Sequence, residues 1–122
     1  MSVFYVTIAL GDPQGERFEE LQALVDTGAT WTWVPSEVLV RLGHRPTLKR
    51  KLRTADNRVI QRDAGVIPIL IGDETLPCLC IFGDEGSQLL LGAVTLEDFS
   101  LAPDPVNQRL VPVVGLLMSL FE

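Results

Sequence analysis

Short apolar runs separated by turns make up most of this chain, and several of the runs alternate with polar residues. The first run, VFYVTIAL (3–10), is β-branched and aromatic, whereas RFEELQALVD (17–26) alternates and then becomes continuously apolar. A period of two is typical of strands with one buried face, and a continuous apolar run is typical of a strand that enters the core. TWTWVP (30–35) alternates again, with Trp31 and Trp33 on one face. The pattern therefore predicts a β-rich protein.

The second half of the chain predicts a β-hairpin and several shorter elements. Two extended runs, TLKRKLRT and RVIQRDAGVIPILIG, are joined by ADN (55–57), which we expect at the hairpin tip. Ser36 is expected to cap a short helix that Gly43 ends. Because no linker, low-complexity segment or repeat interrupts the pattern, it indicates one domain over residues 1–122. Further strands are predicted in TLPCLCIFG (75–83), LLLG (89–92) and RLVPVVGLLMSLF (109–121), and short helices in PSEVLVRLG (35–43) and AVTLEDF (93–99).

Charge is distributed unevenly along the 122 residues. The net charge of −6 argues against a nucleic acid partner. Eight of the ten Lys and Arg residues nevertheless fall between Arg41 and Arg62. This segment is either a basic patch for a polyanion or a solvated pair of strands. The second interpretation is preferred, because such charge runs usually face water.

The cysteines and the apolar segments bear on location. Cys78 and Cys80 lie two apart, so on a strand they share a face and are poorly placed to bridge each other. We interpret them as buried thiols in a reducing compartment. The opening MSVFYVTIAL lacks the basic leader of a signal peptide, and the longest apolar stretch, VPVVGLLMSLF, has 11 residues against the ~20 of a membrane helix. The expectation is a soluble, cytoplasmic protein with no membrane partner.

Most catalytic arrangements lack a residue that they require. A nucleophilic triad would depend on His44, the only histidine, which follows Gly43 in a basic loop and is expected at the surface. Its spacing from Cys78 and Cys80 matches no common zinc pattern. No glycine-rich phosphate loop is present, and GDPQG (11–15) is interpreted as a hairpin turn. We therefore expect no metal and no cofactor.

Asp26 is the candidate that remains. It ends an apolar run and is followed by Thr27 and Gly28. Burying a carboxylate is costly unless it is bound or neutralised, whereas a small hydrogen-bonding residue and a glycine allow the backbone to approach it closely. This arrangement suits a carboxylate that activates water. Two carboxylates held together share a proton and supply both a base and an acid. Since the chain has no second Asp-Thr-Gly, the second Asp must come from an identical chain across a two-fold axis.

An ordered set of motifs around Asp26 resembles the retropepsin-like aspartic proteases, in the single-lobe form that occurs in viruses and in cells. The resemblance covers nearly the whole chain. It implies a closed or nearly closed acid-protease barrel, a single pepsin-like lobe with one or two short helices, which acts as a homodimer on polypeptide substrates. In the family the 52–60 hairpin is a flap over substrate, and Gly92 passes beside the active-site loop. The motifs are LVDTGA (24–29), SEVLVRLG (36–43), LRTADNRVI (52–60), LLLGAVTLEDFSLAPDP (89–105) and RLVPV (109–113).

The resemblance also implies a role for individual residues. Asp26 becomes the catalytic residue, and Thr27 and Gly28 support the active-site loop, with Thr27 bridging the two chains. The apolar C-terminal segment is either an intersubunit strand or an ordinary core strand. Trp33 either narrows specificity toward small side chains or simply packs, and Asp56 is either a substrate contact or a solvated turn residue. The residues expected to bind substrate are Ala29, Thr30, Trp33, Ala55, Asp56 and Asn57.

Two positions differ from the usual family pattern. Thr30 stands where viral members usually have an acidic residue, and Asn57 stands at the hairpin tip where a glycine is common. Asn tolerates a left-handed turn, so the hairpin remains feasible. The function predicted is an aspartic endopeptidase with a dyad of one Asp26 from each chain. The alternatives are a protease-like peptide-binding module with little or no catalytic activity and a monomeric structural domain.

Overall fold

Nine strands and two short helices account for most of residues 3–117, which are the residues that the computed structural model describes. The protein is therefore mostly β, as predicted. The strands are β1 (Tyr5–Gly11), β2 (Phe18–Val25), β3 (Thr32–Pro35), β4 (Leu48–Arg53), β5 (Val59–Ile71), β6 (Glu74–Gly83), β7 (Leu90–Leu91), β8 (Leu101–Asp104) and β9 (Arg109–Pro112), and the helices are α1 (Ser36–Arg41) and α2 (Ala93–Asp98).

Seven of the strands form one sheet, in the order β1-β2-β7-β3-β6-β5-β4. β1 also pairs with β5, at Ala9 with Leu70 and Leu10 with Ile69, so six strands pair in a ring and β4 lies outside it. β2 and β7 are parallel, with Val25 beside Leu91. The chain therefore leaves both strands at the same edge of the sheet, which brings the residues after Val25 next to those after Leu91. β8 and β9 form a separate antiparallel pair.

The core lies on one side of the alternating strands and is covered by the helices. Thr32 and Val34 of β3 are fully buried, and Leu39 of α1 and Leu96 of α2 pack among the buried apolar residues. Removing such side chains from water is the main force that holds the fold together. Strand alternation predicts that β3 has two distinct faces, and the structure shows that the face with Thr32 and Val34 is the buried one.

Cys78 and Cys80 are both buried in this core as free thiols, as predicted. Burial raises the pKa of Cys78 to about 11 and also raises the pKa of Cys80, because desolvation penalises a thiolate. Both thiols are therefore neutral at physiological pH and pack as small apolar groups.

The predicted hairpin is confirmed, with β4 and β5 in antiparallel register and their turn over residues 54–58. Asn57 has φ 69°, the left-handed conformation that asparagine tolerates. Gly43, with φ 96°, follows the end of α1 as predicted. Ser36 is the first helical residue rather than the cap, because β3 runs directly into the helix and Pro35 occupies the N-cap position.

Two further expectations were wrong or incomplete. β8 (Leu101–Asp104) was not predicted, because its LAPD sequence carries no alternating pattern and two of its residues are typical of turns. The C-terminal run was predicted to be extended over 109–121, but β9 ends at Pro112, and residues 113–117 have no regular structure. The rest of that run lies outside the described residues.

His44, expected at the surface, is buried and only 7% exposed. Its Nε2 lies 2.7 Å from the carbonyl oxygen of Gly11, which can only accept a hydrogen bond, so Nε2 carries the hydrogen. The left-handed Gly43 reverses the chain after α1, and this reversal brings the imidazole against the end of β1. The contact joins residues 33 apart in sequence, so local composition could not reveal it.

The basic segment is mostly solvated, in agreement with the preferred interpretation. Six of its eight cationic side chains are exposed, and the exceptions are Arg50 and Arg62, which are half-buried. Among residues 3–117 no helix is long and apolar enough to cross a membrane.

Candidate active site

Asp26 directly follows β2 and opens a tight turn. Its backbone N–H donates to the carbonyl of Leu91 (3.0 Å), and its carbonyl accepts from the N–H of Ala29 (3.1 Å). The N–H of Gly28 donates to Oδ1 of Asp26 (3.0 Å). A Cβ added at Gly28 would lie 3.2 Å from that same oxygen, so a larger residue would crowd the carboxylate. The turn thus holds the carboxylate by its own backbone, while the side chain stays half-exposed and able to meet water or another group.

The start of α2 supports this loop from behind. The N–H groups of Ala93 and Val94 donate to the carbonyls of Ala29 (2.8 Å) and Thr30 (2.9 Å). A Cβ added at Gly92 would lie 2.5 Å from the carbonyl carbon of Trp31, so no larger residue fits without moving the backbone. Gly92 therefore passes beside the Asp26 loop, as expected.

A buried pair of threonines locks these two segments together, and sequence reasoning missed it as part of the site. Oγ1 of Thr32 lies 2.7 Å from Oγ1 of Thr95 and accepts the N–H of Gly92 (3.0 Å). Both threonines are at most 1% exposed. The available signal was a polar residue on the core-facing side of the alternating TWTWVP run. Such a residue requires a buried hydrogen-bond partner.

The opposite side of the strands carries the two tryptophans, and we call it the tryptophan face. Trp33 lies beside Ile81, which lies beside Ala64 on β5. Since side chains alternate along each strand, residues paired directly or spaced by two point the same way. The tryptophan face therefore comprises Trp31, Trp33, Arg50, Arg62, Ala64, Ile81 and Gly83. The guanidinium carbon (Cζ) of Arg50 lies 5.8 Å from the ring centroid of Trp31, so the hairpin folds over this strand.

Trp33 is fixed in place by the turn after β6. Its Nε1 donates to Oγ of Ser87 (2.8 Å), and a Cβ at Gly83 would lie only 2.2 Å from that nitrogen. The same turn is tied to α1, where Oε2 of Glu37 accepts the N–H of Gly86 (2.9 Å). The indole is therefore held against Gly83 and fills space that a smaller side chain would leave open.

The predicted tip residues lie at the exposed end of the hairpin and hydrogen-bond among their neighbours. Asp56 accepts hydrogen bonds from the hydroxyl of Thr54 and from Nε of Arg58 (2.8 Å). These two contacts, the Thr54 bond foremost, lower the pKa of Asp56. Arg53 donates to the side-chain oxygen of Asn57 (3.0 Å). Within the described residues no hydrogen bond joins the tip to the Asp26 loop, so the contacts of the tip residues are those within the hairpin.

An apolar cavity of about 510 Å³ adjoins the aspartate, and it is lined by both hydrophobic and active-site-loop residues. Exposed apolar side chains follow β9 as well, among them Val114 at 93% and Leu116 at 87%. Exposed apolar patches of this kind mark interaction surfaces. The lining residues of the cavity are Val3, Phe4, Leu24, Val25, Asp26, Thr27, Gly28, Pro103 and Pro105.

A larger cavity, of about 620 Å³, lies between α1 and the β4–β5 hairpin. None of the predicted site residues lines it. Its walls include Val40, Lys49 and Asp63, and Lys49 and Asp63 pair with each other (2.9 Å). In the described part of the chain no three His, Cys, Asp or Glu residues come together in a group that could hold a metal ion.

The strand ring and the Asp-Thr-Gly turn backed by α2 define a retropepsin-like β protein. Residues 17–98, about two thirds of the chain, match the family model of the gag-polyprotein putative aspartyl protease, and the chain belongs to this family. The predicted membership of the retropepsin-like proteases is thereby confirmed. No curated protein matches the sequence.

Two solved structures share the fold. One is the solution structure of the simian foamy virus (mac) protease, at 18% identity and a TM-score of 0.56, with 82% of this chain and 99% of that chain covered. The other is the crystal structure of the retroviral protease-like domain of Ddi1 from Leishmania major, at 16% identity and a TM-score of 0.59, with coverage of 92% and 89%. At such identities the likeness concerns the fold alone.

Proposed function

We propose that this protein is an aspartic endopeptidase whose catalytic dyad consists of Asp26 from each of two identical chains. The observation that carries the proposal is the Asp26 turn. One carboxylate oxygen is held by the N–H of Gly28 (3.0 Å), and the side chain remains half-exposed at the edge of the sheet. A carboxylate that is oriented by backbone on one side and open on the other is suited to proton transfer with a bound water.

The chemistry follows from pairing two such carboxylates. Two Asp26 side chains in contact cannot both ionise easily, so they share one proton. The ionised carboxylate takes a proton from the attacking water, and the protonated one donates to the carbonyl oxygen of the scissile peptide bond. The two roles then exchange: the carboxyl that took the water proton gives it to the leaving nitrogen as the C–N bond breaks, and the other carboxylate takes a proton back from a hydroxyl of the tetrahedral intermediate. This mechanism requires neither metal nor cofactor.

The second chain is proposed to dock on the apolar surface beside the aspartate. The 510 Å³ cavity places Val3, Phe4 and Pro103 next to the Asp26 loop, and Thr27 of that loop is exposed and free to bridge to the partner. Covering this surface would remove apolar area from water, which drives association. In this proposal the strand ring is the closed acid-protease barrel of one pepsin-like lobe.

Substrate is proposed to lie between the Asp26 loop and the β4–β5 hairpin. Ala29 and Thr30, which follow the Asp26 turn, would border it, Trp33 would wall one subsite, and the tip residues 55–57 would close over it. A rigid indole packed on Gly83 leaves room for small side chains at that subsite. The cytoplasmic location and the lack of a nucleic acid partner stay predictions.

The test is digestion of a diverse peptide mixture by the wild type and by Asp26→Asn, across acidic to neutral pH. Asn keeps the size of the side chain and an oxygen for the Gly28 N–H, so it removes the acid while leaving the turn intact. Protein concentrations are chosen by sedimentation so that the dimer predominates. Cleavage by the wild type alone supports the dyad. A confirmed dimer that cleaves nothing would instead favour a peptide-binding module, and a chain that stays monomeric at every concentration would contradict the dyad itself.

A further inference from the structure

Two arginines face each other across the β4–β5 hairpin, on the tryptophan face. Arg50 is directly opposite Arg62 in the strand register, so both side chains project from the same side. Like charges in directly opposite positions destabilise a strand pair. The positive charge of each arginine must therefore be offset by another group, and that group differs between the two arginines.

Arg62 is neutralised within the chain. Its Nε and Nη2 donate to the two carboxylate oxygens of Asp84, at 2.8 and 3.3 Å. Arg50 makes no ion pair within residues 3–117. Its guanidinium carbon lies 5.8 Å from the centroid of the Trp31 ring, and Nη1 donates to the carbonyl of Lys49 (3.0 Å). The aromatic ring orients this cation but supplies no counter-charge.

The position of Arg50 differs from that of the other cations without a carboxylate partner. Arg45, Lys51 and Arg53 are exposed and meet bulk water, whereas Arg50 is half-buried on the face that carries Trp31. A guanidinium has five N–H donors in a planar fork that matches a carboxylate. The hydrogen bonds described for Arg50 use one of them, which leaves donors for an incoming acid.

Arg50 is also placed in a defined relation to the proposed catalytic residue. Trp31 follows Thr30, whose carbonyl is bonded to the N–H of Val94, and the Trp31 carbonyl is in close contact with Gly92. The backbone contacts that hold the Asp26 loop thus continue into the backbone of Trp31, the residue whose ring lies beneath Arg50.

We propose that Arg50, stacked on Trp31, forms a subsite for a Glu or Asp side chain of the substrate. This inference rests on the proposed function and names the substrate class, which is an extended polypeptide with an acidic residue near the cleaved bond. In a symmetric dimer each chain contributes one Arg50, so an acidic residue is preferred on both sides of the cut. The net charge of −6 of the whole protein disfavours an acidic peptide, whereas residues 41–62 are basic, so the control has to separate Arg50 from its exposed cationic neighbours.

The experiment compares matched peptides with Glu or Gln at each position around a cleavage site. For the wild type, kcat/KM is expected to favour Glu on the order of tenfold at one position on each side, as charge-assisted hydrogen bonds do. Arg50→Gln should lower this ratio to about one, and Arg50→Glu should reverse it so that Lys is preferred. The matched control is Lys51→Gln. Lys51 is the next residue on the same strand, exposed and without an ion pair in the described chain, so this variant should keep the wild-type ratio.

A binding measurement separates this inference from the proposed function. The Asp26→Asn protein is titrated with Glu and Gln peptides, with tryptophan fluorescence as the readout, at two salt concentrations. Glu-selective, salt-sensitive binding without any cleavage by wild type would keep the subsite and overturn the protease. Cleavage of the matched Glu and Gln peptides with equal kcat/KM would keep the protease and overturn the subsite. If Arg50→Gln weakens dimerisation on sedimentation and leaves the Glu ratio unchanged, Arg50 pairs with the second chain and the inference is wrong.

Discussion

The buried threonine pair offers the sharpest quantitative test of how the active-site loop is held. Thr32→Val replaces a hydroxyl by a methyl group of the same shape, so it creates no cavity. It removes the acceptor of the Gly92 N–H and the hydrogen-bond partner of the Thr95 hydroxyl. Among the described residues no buried side-chain nitrogen or oxygen lacks a partner, so the variant introduces a defect that the native protein avoids.

The magnitude follows from the two groups left behind. A buried, unpaired polar group costs about 1–3 kcal/mol. Thr32→Val leaves the Gly92 N–H unpaired and leaves the Thr95 hydroxyl with only the weaker Cys78 thiol as partner, at a further cost of about 1 kcal/mol, so the variant should lower the free energy of unfolding by about 2–4 kcal/mol. Thr95→Val should cost less, about 1 kcal/mol, because Thr32 still accepts from Gly92. The double variant leaves only the Gly92 N–H unpaired. It should therefore be at least as stable as Thr32→Val alone, with a coupling of about 1–2 kcal/mol.

The assay is urea unfolding followed by circular dichroism, and the loss in free energy of unfolding is taken from the midpoint and slope of each curve. All variants are compared at one protein concentration, since association would couple stability to concentration. Proteolytic kcat should fall in Thr32→Val as the Gly92 backbone loosens. A Thr32→Val protein within about 0.5 kcal/mol of wild type, or a double variant whose loss equals the sum of the single losses, would refute the role given to this pair.

Two further predictions concern specificity and pH. Trp33→Val should open the space over Gly83 and raise kcat/KM for peptides with a large side chain at that subsite about tenfold relative to small ones; an unchanged ratio in a folded variant would show that the indole merely packs. The backbone N–H groups of Glu16 and Arg17 donate to Asp12 and hold its pKa below the ordinary value. A depressed folded-state pKa stabilises the protein above the unfolded pKa of ~3.9, and this contribution is lost as pH falls through the folded-state pKa. The urea midpoint of the wild type should therefore lie above that of Asp12→Asn at pH 7, and the two midpoints should converge in strong acid. A gap that stays constant with pH would contradict the linkage.

Local chemistry explains why the sequence alone was informative about much of this fold. The β4–β5 hairpin was predicted because alternation and the ADN turn are properties of neighbouring residues. The Asp26 turn was predicted for the same reason, since Gly28, whose N–H donates to the carboxylate, lies only two positions after it. Turn and strand preferences of this kind do not depend on the rest of the chain.

Contacts between distant residues were decided only by the tertiary structure. The Thr32–Thr95 bond joins positions 63 apart, and His44 reaches Gly11 across 33 residues. The stacking of Arg50 on Trp31 likewise depends on how far the hairpin folds over β3. No pattern within either segment specifies the partner, because a buried polar group demands a hydrogen bond without determining which residue provides it. The amino-acid sequence thus determined most of the strands, the hairpin and the Asp26 turn, and the closure of the strands into a ring selected which side chains surround them.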